Sequence, residues 1–181
     1  SAGDGGTFKA YVAKPSTGSG PGLVLCQEIF GVNRHIRDLA DNYAEEGYVV
    51  VAPDLFWRLK PGVELVGTDA DLPEAFGYYQ KFDVAKSVDD ITASVKALRA
   101  MPACKGKVGA VGFCLGGTLA YLAAAHSGVD CAVGYYGGWY DVGYFSDDAV
   151  LDGGDRQVGY FWTGAHVPLA AGGSYTEAMD I

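Results

Sequence analysis

The segment VGAVGFCLGG, residues Val108 to Gly117, predicts a strand that turns sharply into a helix. Its first residues are apolar, and the alanine-rich stretch from Leu115 to about His126 has the composition of a helix. Between the two, Gly112, Cys114 and Gly116 match the spacing of a turn that displays a nucleophile between glycines. A nucleophile in such a turn has a strained backbone, and its neighbours lack side chains because strand and helix nearly touch. This context predicts that Cys114 is reactive.

An alternative interpretation of Cys114 is a buried packing residue, since free cysteine is among the most buried residue types. The helix that follows favours reactivity, because its free N–H groups and positive dipole end point at the sulfur and stabilise a thiolate or an oxyanion. The other three cysteines are predicted to be structural, and their scattered positions match neither a zinc site nor a disulfide scaffold: Cys26, Cys104 and Cys131. We therefore expect reduced thiols and no metal ion.

Four short apolar runs without strict alternation predict strands that are covered on both faces. They lie within residues 22–30, 47–56, 107–113 and 131–137. Apolar residues at helical spacing predict three helices, which begin after a cap at Asn33, at Asp83 and at Leu115. This alternation indicates an α/β domain with a mainly parallel sheet flanked by helices, whose site lies at the carboxyl ends of the strands.

Two segments interrupt the alternation. Residues 57–81 are rich in Gly, Pro and aromatic residues and are predicted to be a surface excursion that forms one wall of a pocket. The C-terminal segment contains two short candidate strands, at residues 149–151 and 158–162, with no convincing helix between them. We therefore expect a single domain over residues 1–181 whose C-terminal part is short or incomplete, with these strands antiparallel or a helix missing.

The charge of the chain excludes some classes of partner. Its 181 residues carry a formal net charge of -9 and no cluster of Lys or Arg, so nucleic acid or an anionic membrane would be repelled. No apolar run approaches the roughly 20 residues that span a bilayer, and residues 1–7 lack the pattern of a signal peptide. We expect a cytoplasmic monomer that acts on a small molecule.

Three segments carry a family resemblance: CQEIFGVNRHIRDLADNYAEEGYVVVAPDLFWR at residues 26–58, FDVAKSVDDITASVKALRA at residues 82–100 and KVGAVGFCLGGTLAYLAA at residues 107–124. Together they combine a Q-E-I-F-G motif with G-x-C-x-G-G. From about Gly6 to Gly138 the chain resembles the dienelactone hydrolase (carboxymethylenebutenolidase) family of the α/β-hydrolase fold, and residues 139–181 resemble it weakly. The resemblance implies a carboxylic-ester or lactone hydrolase that needs no cofactor and takes a small-molecule ester or lactone as substrate.

The resemblance also implies roles for residues of these motifs. It makes Cys114 the nucleophile and Glu28 the carboxylate that contacts the resting thiol and helps to generate the thiolate. The backbone N–H groups of Leu115 and Ile29 would hold the oxyanion. The residues themselves support Glu28, because a carboxylate directly after a buried strand lies at the expected active-site edge, where burial raises its proton affinity. The alternative role, a cap of the following helix, is better served by Asn33.

The family's remaining catalytic groups are an aspartate in a G-G-x-D segment and a histidine in an A-G-H segment. This chain has GGDRQV at residues 153–158 and TGAH at residues 163–166, which make Asp155 and His166 the matching acid and base. Asp152 is a competing acid. His35 and His126 are weaker candidates for the base, the first at a helix start and the second at the exposed end of the helix that follows Cys114.

The chain departs from the family in the arginines that bind the substrate's carboxylate. Neither DADLPEAFGYYQ at residues 69–80 nor HVPLAAGG at residues 166–173 contains an arginine. Arg58 is a candidate for the pocket rim, although a surface arginine is the commoner outcome. The rival to a hydrolase is a non-catalytic member of the same fold that binds a ligand or senses redox state.

Overall fold

The structure is a computed structural model that describes residues 2–137 and 157–161. Its strands are β1 (Ala10–Ala13), β2 (Gly20–Cys26), β3 (Val49–Pro53), β4 (Cys104–Phe113), β5 (Cys131–Tyr135) and β6 (Gln157–Phe161). Its helices are α1 (Arg34–Glu45), α2 (Leu72–Tyr79), α3 (Val84–Ala100) and α4 (Leu115–His126). Within the described residues, none of these helices is long and apolar enough to cross a bilayer.

The strands form one sheet in the order β1-β3-β2-β4-β5-β6. The pairs β2–β3, β2–β4, β4–β5 and β5–β6 are parallel, so the predicted mainly parallel sheet is confirmed. The exception is β1, which pairs with β3 in the antiparallel sense at the sheet edge. Because β2 and β4 are adjacent and parallel, the segments that follow them leave the sheet at the same edge.

Successive residues of the central strands are buried on opposite faces of the sheet. In β3, Val49 and Val51 join one hydrophobic cluster, whereas Val50 and Ala52 join the other. A strand between two apolar layers has no solvent face, which is why these runs show no alternation of polar and apolar residues in the sequence. The sheet is therefore the middle layer of three.

The helices supply the two outer layers. On one face, α1 buries Ile36, Ala40 and Ala44, which repeat at helical spacing against the sheet. The Asn33 side chain caps this helix by accepting a hydrogen bond from the Ile36 N–H at 3.1 Å, as the sequence predicts. On the opposite face, α3 and α4 pack together against the strands through residues that include Ile91 and Leu119. The three predicted helices are thus present.

Two features of the excursion and the C-terminal segment differ from the prediction. Residues 57–81 contain the helix α2, which its internal Gly77 and early Pro73 conceal in the sequence. The strand β6 is parallel to β5, so the antiparallel alternative is wrong for this strand. The connection over residues 136–156 exceeds the dozen or so residues that a parallel crossover requires. The predicted strand at residues 149–151 lies outside the described residues.

Candidate active site

Cys114 occupies the turn between β4 and α4 in a backbone conformation that side chains rarely adopt. Its φ is 54° and its ψ is -123°. Two backbone hydrogen bonds hold it there: its N–H donates to the Tyr135 carbonyl at 3.0 Å, and its carbonyl accepts from the Gly117 N–H at 2.9 Å. A conformation of this kind costs on the order of 1–3 kcal/mol and persists only where its surroundings enforce it. The strain predicted for the turn is present.

The glycines of the turn are required by close backbone contacts. A Cβ on Gly112 would collide with the carbonyl of Gly116, and a Cβ on Gly116 would collide with the carbonyl of Cys26 at the end of β2. The start of α4 therefore lies directly against two strands. This close approach brings the N-terminal end of α4 to the edge of the sheet where β2 ends.

We predict that Gly116→Ala lowers the free energy of unfolding by about 1–3 kcal/mol, because the new methyl group meets a backbone that cannot move aside. The matched control is Gly77→Ala inside α2, where a Cβ meets nothing within 4 Å. That change should stabilise the protein by about 0.5–1 kcal/mol through helix propensity. Urea denaturation of both variants measures the two effects. Equal stabilities would contradict the close packing of the turn.

Glu28 lies in the loop after β2, and its neighbours fix that loop. The buried Gln27 side chain accepts a hydrogen bond from the Leu55 N–H at 2.9 Å, which ties the end of β2 to the segment after β3. The Asn33 amide donates to the Leu65 carbonyl at 2.7 Å, which ties the other end of the loop to the excursion. The Glu28 carboxylate therefore stands on a backbone held at both ends.

The pKa of the Cys114 thiol lies above its ordinary value. Burial raises its pKa, a hydrogen bond from the Leu115 N–H opposes this, and the charge of Glu28 adds to the increase. The helix end therefore acts on the sulfur as the sequence predicts, but it is outweighed. Cys26 shows the limit of the same effect, because complete burial raises the pKa of its thiol to about 12. Cys114 thus needs a base before it can attack a carbonyl.

Glu28 is suited to be that base. Burial raises the pKa of its half-buried carboxyl group, while the nearby His35 and a hydrogen bond from Tyr136 lower it to a smaller extent. The Tyr136 hydroxyl lies 3.5 Å from Glu28 Oε1. A carboxylate with increased proton affinity, close enough to a thiol to raise the pKa of that thiol, can accept the thiol proton.

The two proposed oxyanion donors are the N–H groups of the residues that directly follow Cys114 and Glu28. Leu115 is the first residue of α4, and its N–H reaches the sulfur. Ile29 follows Glu28 directly, and both Ile29 and Leu115 are buried in the hydrophobic cluster against which Cys114 packs. Their role toward an oxyanion stays a prediction.

The sequence did not indicate Tyr79 or Tyr136 as site residues, and it made His35 a weaker candidate. Burial raises the pKa of both Tyr79 and Tyr136; the charge of Glu28 adds to the increase at Tyr136, and the charge of a Cys114 thiolate adds to it at both. Tyr136 has a φ of 38° directly after β5. The rule that selected Glu28, a polar side chain at the carboxyl end of a strand, could have selected Tyr136. His35 lies close enough to Glu28 to lower the pKa of its carboxyl group.

Arg58 is paired with residues other than Cys114 and Glu28. Its guanidinium pairs with the fully buried carboxylate of Asp90 and, at 3.0 Å, with Asp4. It also lies over the Trp57 ring, with Cζ 4.3 Å from the ring centroid. These contacts fasten the N-terminal segment and the segment after β3 to α3. A role for Arg58 in binding substrate stays an untested prediction.

Of the remaining candidates, the structure describes one, His126. Asp152, Asp155 and His166 lie outside the described residues. His126 is exposed at the end of α4 that is farthest from Cys114. Among residues 2–137 and 157–161, no group of three or more His, Cys, Asp or Glu side chains could hold a metal ion.

Comparison with known proteins shows which family the chain matches. The model of the dienelactone hydrolase family matches residues 8–150. Carboxymethylenebutenolidase 1 of Cupriavidus pinatubonensis is 42% identical over 137 residues, which cover 74% of this chain and 57% of that protein. The carboxymethylenebutenolidase of Pseudomonas putida is 45% identical over 135 residues, which cover 74% of this chain and 57% of that protein. The chain therefore spans less than two thirds of the length of these relatives.

A solved structure gives the same result for the fold. A provisionally assigned dienelactone hydrolase from Klebsiella pneumoniae is 25% identical and superposes with a TM-score of 0.62, over 86% of this chain and 72% of that chain. The matched family region includes the turn at Cys114, the loop at Glu28 and the strands that carry them. The chain has the α/β-hydrolase fold and belongs to the dienelactone hydrolase family.

Proposed function

We propose that the chain is a cysteine-dependent hydrolase that cleaves a lactone or a small ester. The observation that carries the proposal is the Cys114 thiol in its strained turn, with the Glu28 carboxylate and the Leu115 N–H both acting on it. Relatives named carboxymethylenebutenolidases support a lactone or ester as substrate. Since the chain spans 57% of those relatives, its own activity is a proposal.

In the proposed reaction, Glu28 accepts the thiol proton as Sγ attacks the carbonyl carbon. The new C–S bond leaves an oxyanion, which the N–H groups of Leu115 and Ile29 stabilise. Collapse breaks the C–O bond of the ester, and His166, oriented by Asp155, carries the proton from Glu28 to the leaving alkoxide. His166 then removes a proton from water as the water oxygen attacks the thioester carbon. The C–S bond breaks, the acid is released, and His166 returns the proton to Sγ.

The choice of His166 and Asp155 rests on chain order, on the family resemblance and on the direction of β6. Because β6 is parallel to β5 and ends at Phe161, its carboxyl end is at the same edge of the sheet as that of β4. His166 follows Phe161 within one short segment. The monomeric state and the cytoplasmic location expected from the sequence stay predictions.

Covalent turnover separates this proposal from a binding or redox-sensing protein. Rapid mixing with a model aryl ester should release a burst of phenol equal to the enzyme concentration, followed by steady release. Intact-mass measurement during that phase should show one acyl group, and peptide mapping should locate it on Cys114. One round of labelling without further release of product would favour the non-catalytic alternative.

A matched pair of variants tests the base in the same assay. His166→Ala should slow the steady phase by roughly 10²-fold or more, because thioester hydrolysis loses its base. His126→Ala should leave the rate unchanged, since His126 lies at the far end of α4. Equal rates in the two variants would show that His166 is not the base and would leave His35 as the candidate for that role.

A further inference from the structure

An exposed aromatic surface lies beside the thiol. Within the described residues, Phe76 of α2 and Tyr136 after β5 remain 48% and 42% exposed. Tyr79, at the end of α2, is partly buried and packs against both Phe76 and the core. We call Phe76, Tyr79 and Tyr136 the aromatic rim. Large aromatic groups left in contact with water next to a reactive side chain are typical of a ligand site.

The rim adjoins Cys114 from two separate elements. On the α2 side, the Phe76 and Tyr79 rings meet edge to face with their centroids 6.5 Å apart, and Tyr79 packs against the same cluster as Cys114. On the β5 side, the Tyr136 ring lies 6.0 Å from the Phe113 ring, and its hydroxyl reaches Glu28 at 3.5 Å. Aromatic side chains from α2 and from the end of β5 therefore both lie within electrostatic reach of the thiol.

The charged group that acts on the thiol is the carboxylate of Glu28. Of the groups that act on Glu28 and Cys114 in the described residues, His35 alone can carry a positive charge. A ligand carboxylate placed beside Sγ would meet the like charge of Glu28 in a partly buried site, where repulsion is stronger than in water. A neutral ligand avoids this cost.

One cation of the excursion and one of α1 are already paired with carboxylates. The Lys60 ammonium lies 3.3 Å from Glu74 on the first turn of α2. The Arg37 guanidinium lies 2.7 Å from Glu64 in the excursion. Each positive charge is thus offset by a carboxylate of the protein, and recruiting it to a substrate carboxylate would break an ion pair.

We infer that the aromatic rim selects neutral esters with an aromatic group, and discriminates against substrates that carry a carboxylate. This inference rests on the proposed function, because the rim acts on a substrate that Cys114 attacks. Aromatic stacking and burial of apolar area hold the substrate ring, while Glu28 repels an added negative charge. The inference differs from what the names of the relatives would suggest, since those proteins are named for a carboxymethylene lactone.

The test compares two substrates that differ by one charge: methyl 4-acetoxybenzoate and 4-acetoxybenzoate. Each kcat/KM is divided by the rate of hydrolysis of that ester by hydroxide, which removes the difference in leaving group. We expect the corrected ratio to favour the neutral ester by at least roughly 10-fold, from the loss of transition-state binding that a like charge imposes. The ratio should fall as the salt concentration rises, because screening weakens the repulsion.

Two substitutions at one exposed position test the rim itself. Phe76→Arg places a cation in the rim and should reduce the corrected ratio at least several-fold by improving kcat/KM for 4-acetoxybenzoate. Phe76→Leu should lower kcat/KM for both esters while the preference for the neutral ester remains, because it removes a ring and adds no charge. His35→Gln should not abolish the preference. Melting temperatures confirm that the variants are folded.

The outcomes distinguish the two levels of the proposal. If neither ester is turned over and no acyl group appears on Cys114, the proposed function fails. If both are turned over and 4-acetoxybenzoate is cleaved as well as or better than its methyl ester, the hydrolase proposal stands and the selectivity of the aromatic rim is overturned. A folded Phe76→Arg variant with an unchanged ratio would also overturn the role of the rim.

Discussion

Replacing Cys114 by alanine should reduce kcat/KM for a model aryl ester by at least roughly 10³-fold, with the fold intact. The expectation follows because the nucleophile forms the covalent bond on which both half-reactions depend, and no other group of the turn can replace it. Cys114 is only partly buried, so loss of its sulfur removes little packing. Steady-state kinetics and thermal melting of the same preparation measure the two quantities.

The matched control is Cys131→Ala. Cys131 is exposed and begins β5, whereas Cys114 follows the end of β4, so the two thiols lie at opposite edges of the parallel sheet. This variant should keep its activity. Activity above about a tenth of the original value in Cys114→Ala, or its loss in Cys131→Ala, would show that the nucleophile has been misidentified.

The second large effect is expected for Glu28→Gln, which should lower turnover by roughly 10²-fold or more. The amide preserves the shape of the side chain and removes its ability to accept a proton. Because the loop is held by Gln27 and Asn33, the backbone should not move. Glu45→Gln, an exposed residue at the end of α1, is the control for loss of one negative charge.

Although Glu28→Gln should slow turnover, it should make the Cys114 thiol easier to ionise. The charge of Glu28 contributes to the raised pKa of Cys114, so removing it should lower that pKa and increase the thiolate fraction at a given pH. Alkylation of Cys114 by iodoacetamide should therefore reach its midpoint at a lower pH in Glu28→Gln than in the unaltered protein. A slower catalyst with a more reactive thiol identifies Glu28 as the base. A midpoint that does not move, or moves upward, would refute the coupling.

Elements with strong local patterns could be predicted from the sequence. The helix that begins after Asn33 has a side-chain cap and an apolar stripe, and the turn at Cys114 has glycines where backbone contacts forbid a Cβ. Two short elements escaped prediction. Helix α2 lacks a strong apolar stripe and carries Gly77, and β1 is a short antiparallel edge strand. Their positions depend on packing against distant segments, which outweighs weak local propensity.

The sequence by itself predicted strands β2 and β4 with the turn and loop that follow them, and with these the proximity of Cys114 and Glu28. Cys114 directly follows β4, and Glu28 lies two residues after the end of β2. Because adjacent parallel strands end at one edge of a sheet, the proximity of the two residues follows from local patterns and this general rule. The G-x-C-x-G spacing likewise implied the strained turn, because only glycine tolerates the backbone contacts around it.

Only the tertiary structure decided the direction in which the pKa of the thiol is shifted and the identity of its neighbours. The pKa of Cys114 is the sum of burial, a local N–H and the charge of Glu28, and burial comes from chain segments that are distant in sequence. Tyr79 and Tyr136 reach the site from α2 and from the end of β5, whereas Arg58 is engaged by Asp90. Such contacts depend on distances in space, which periodicity and motif spacing do not encode.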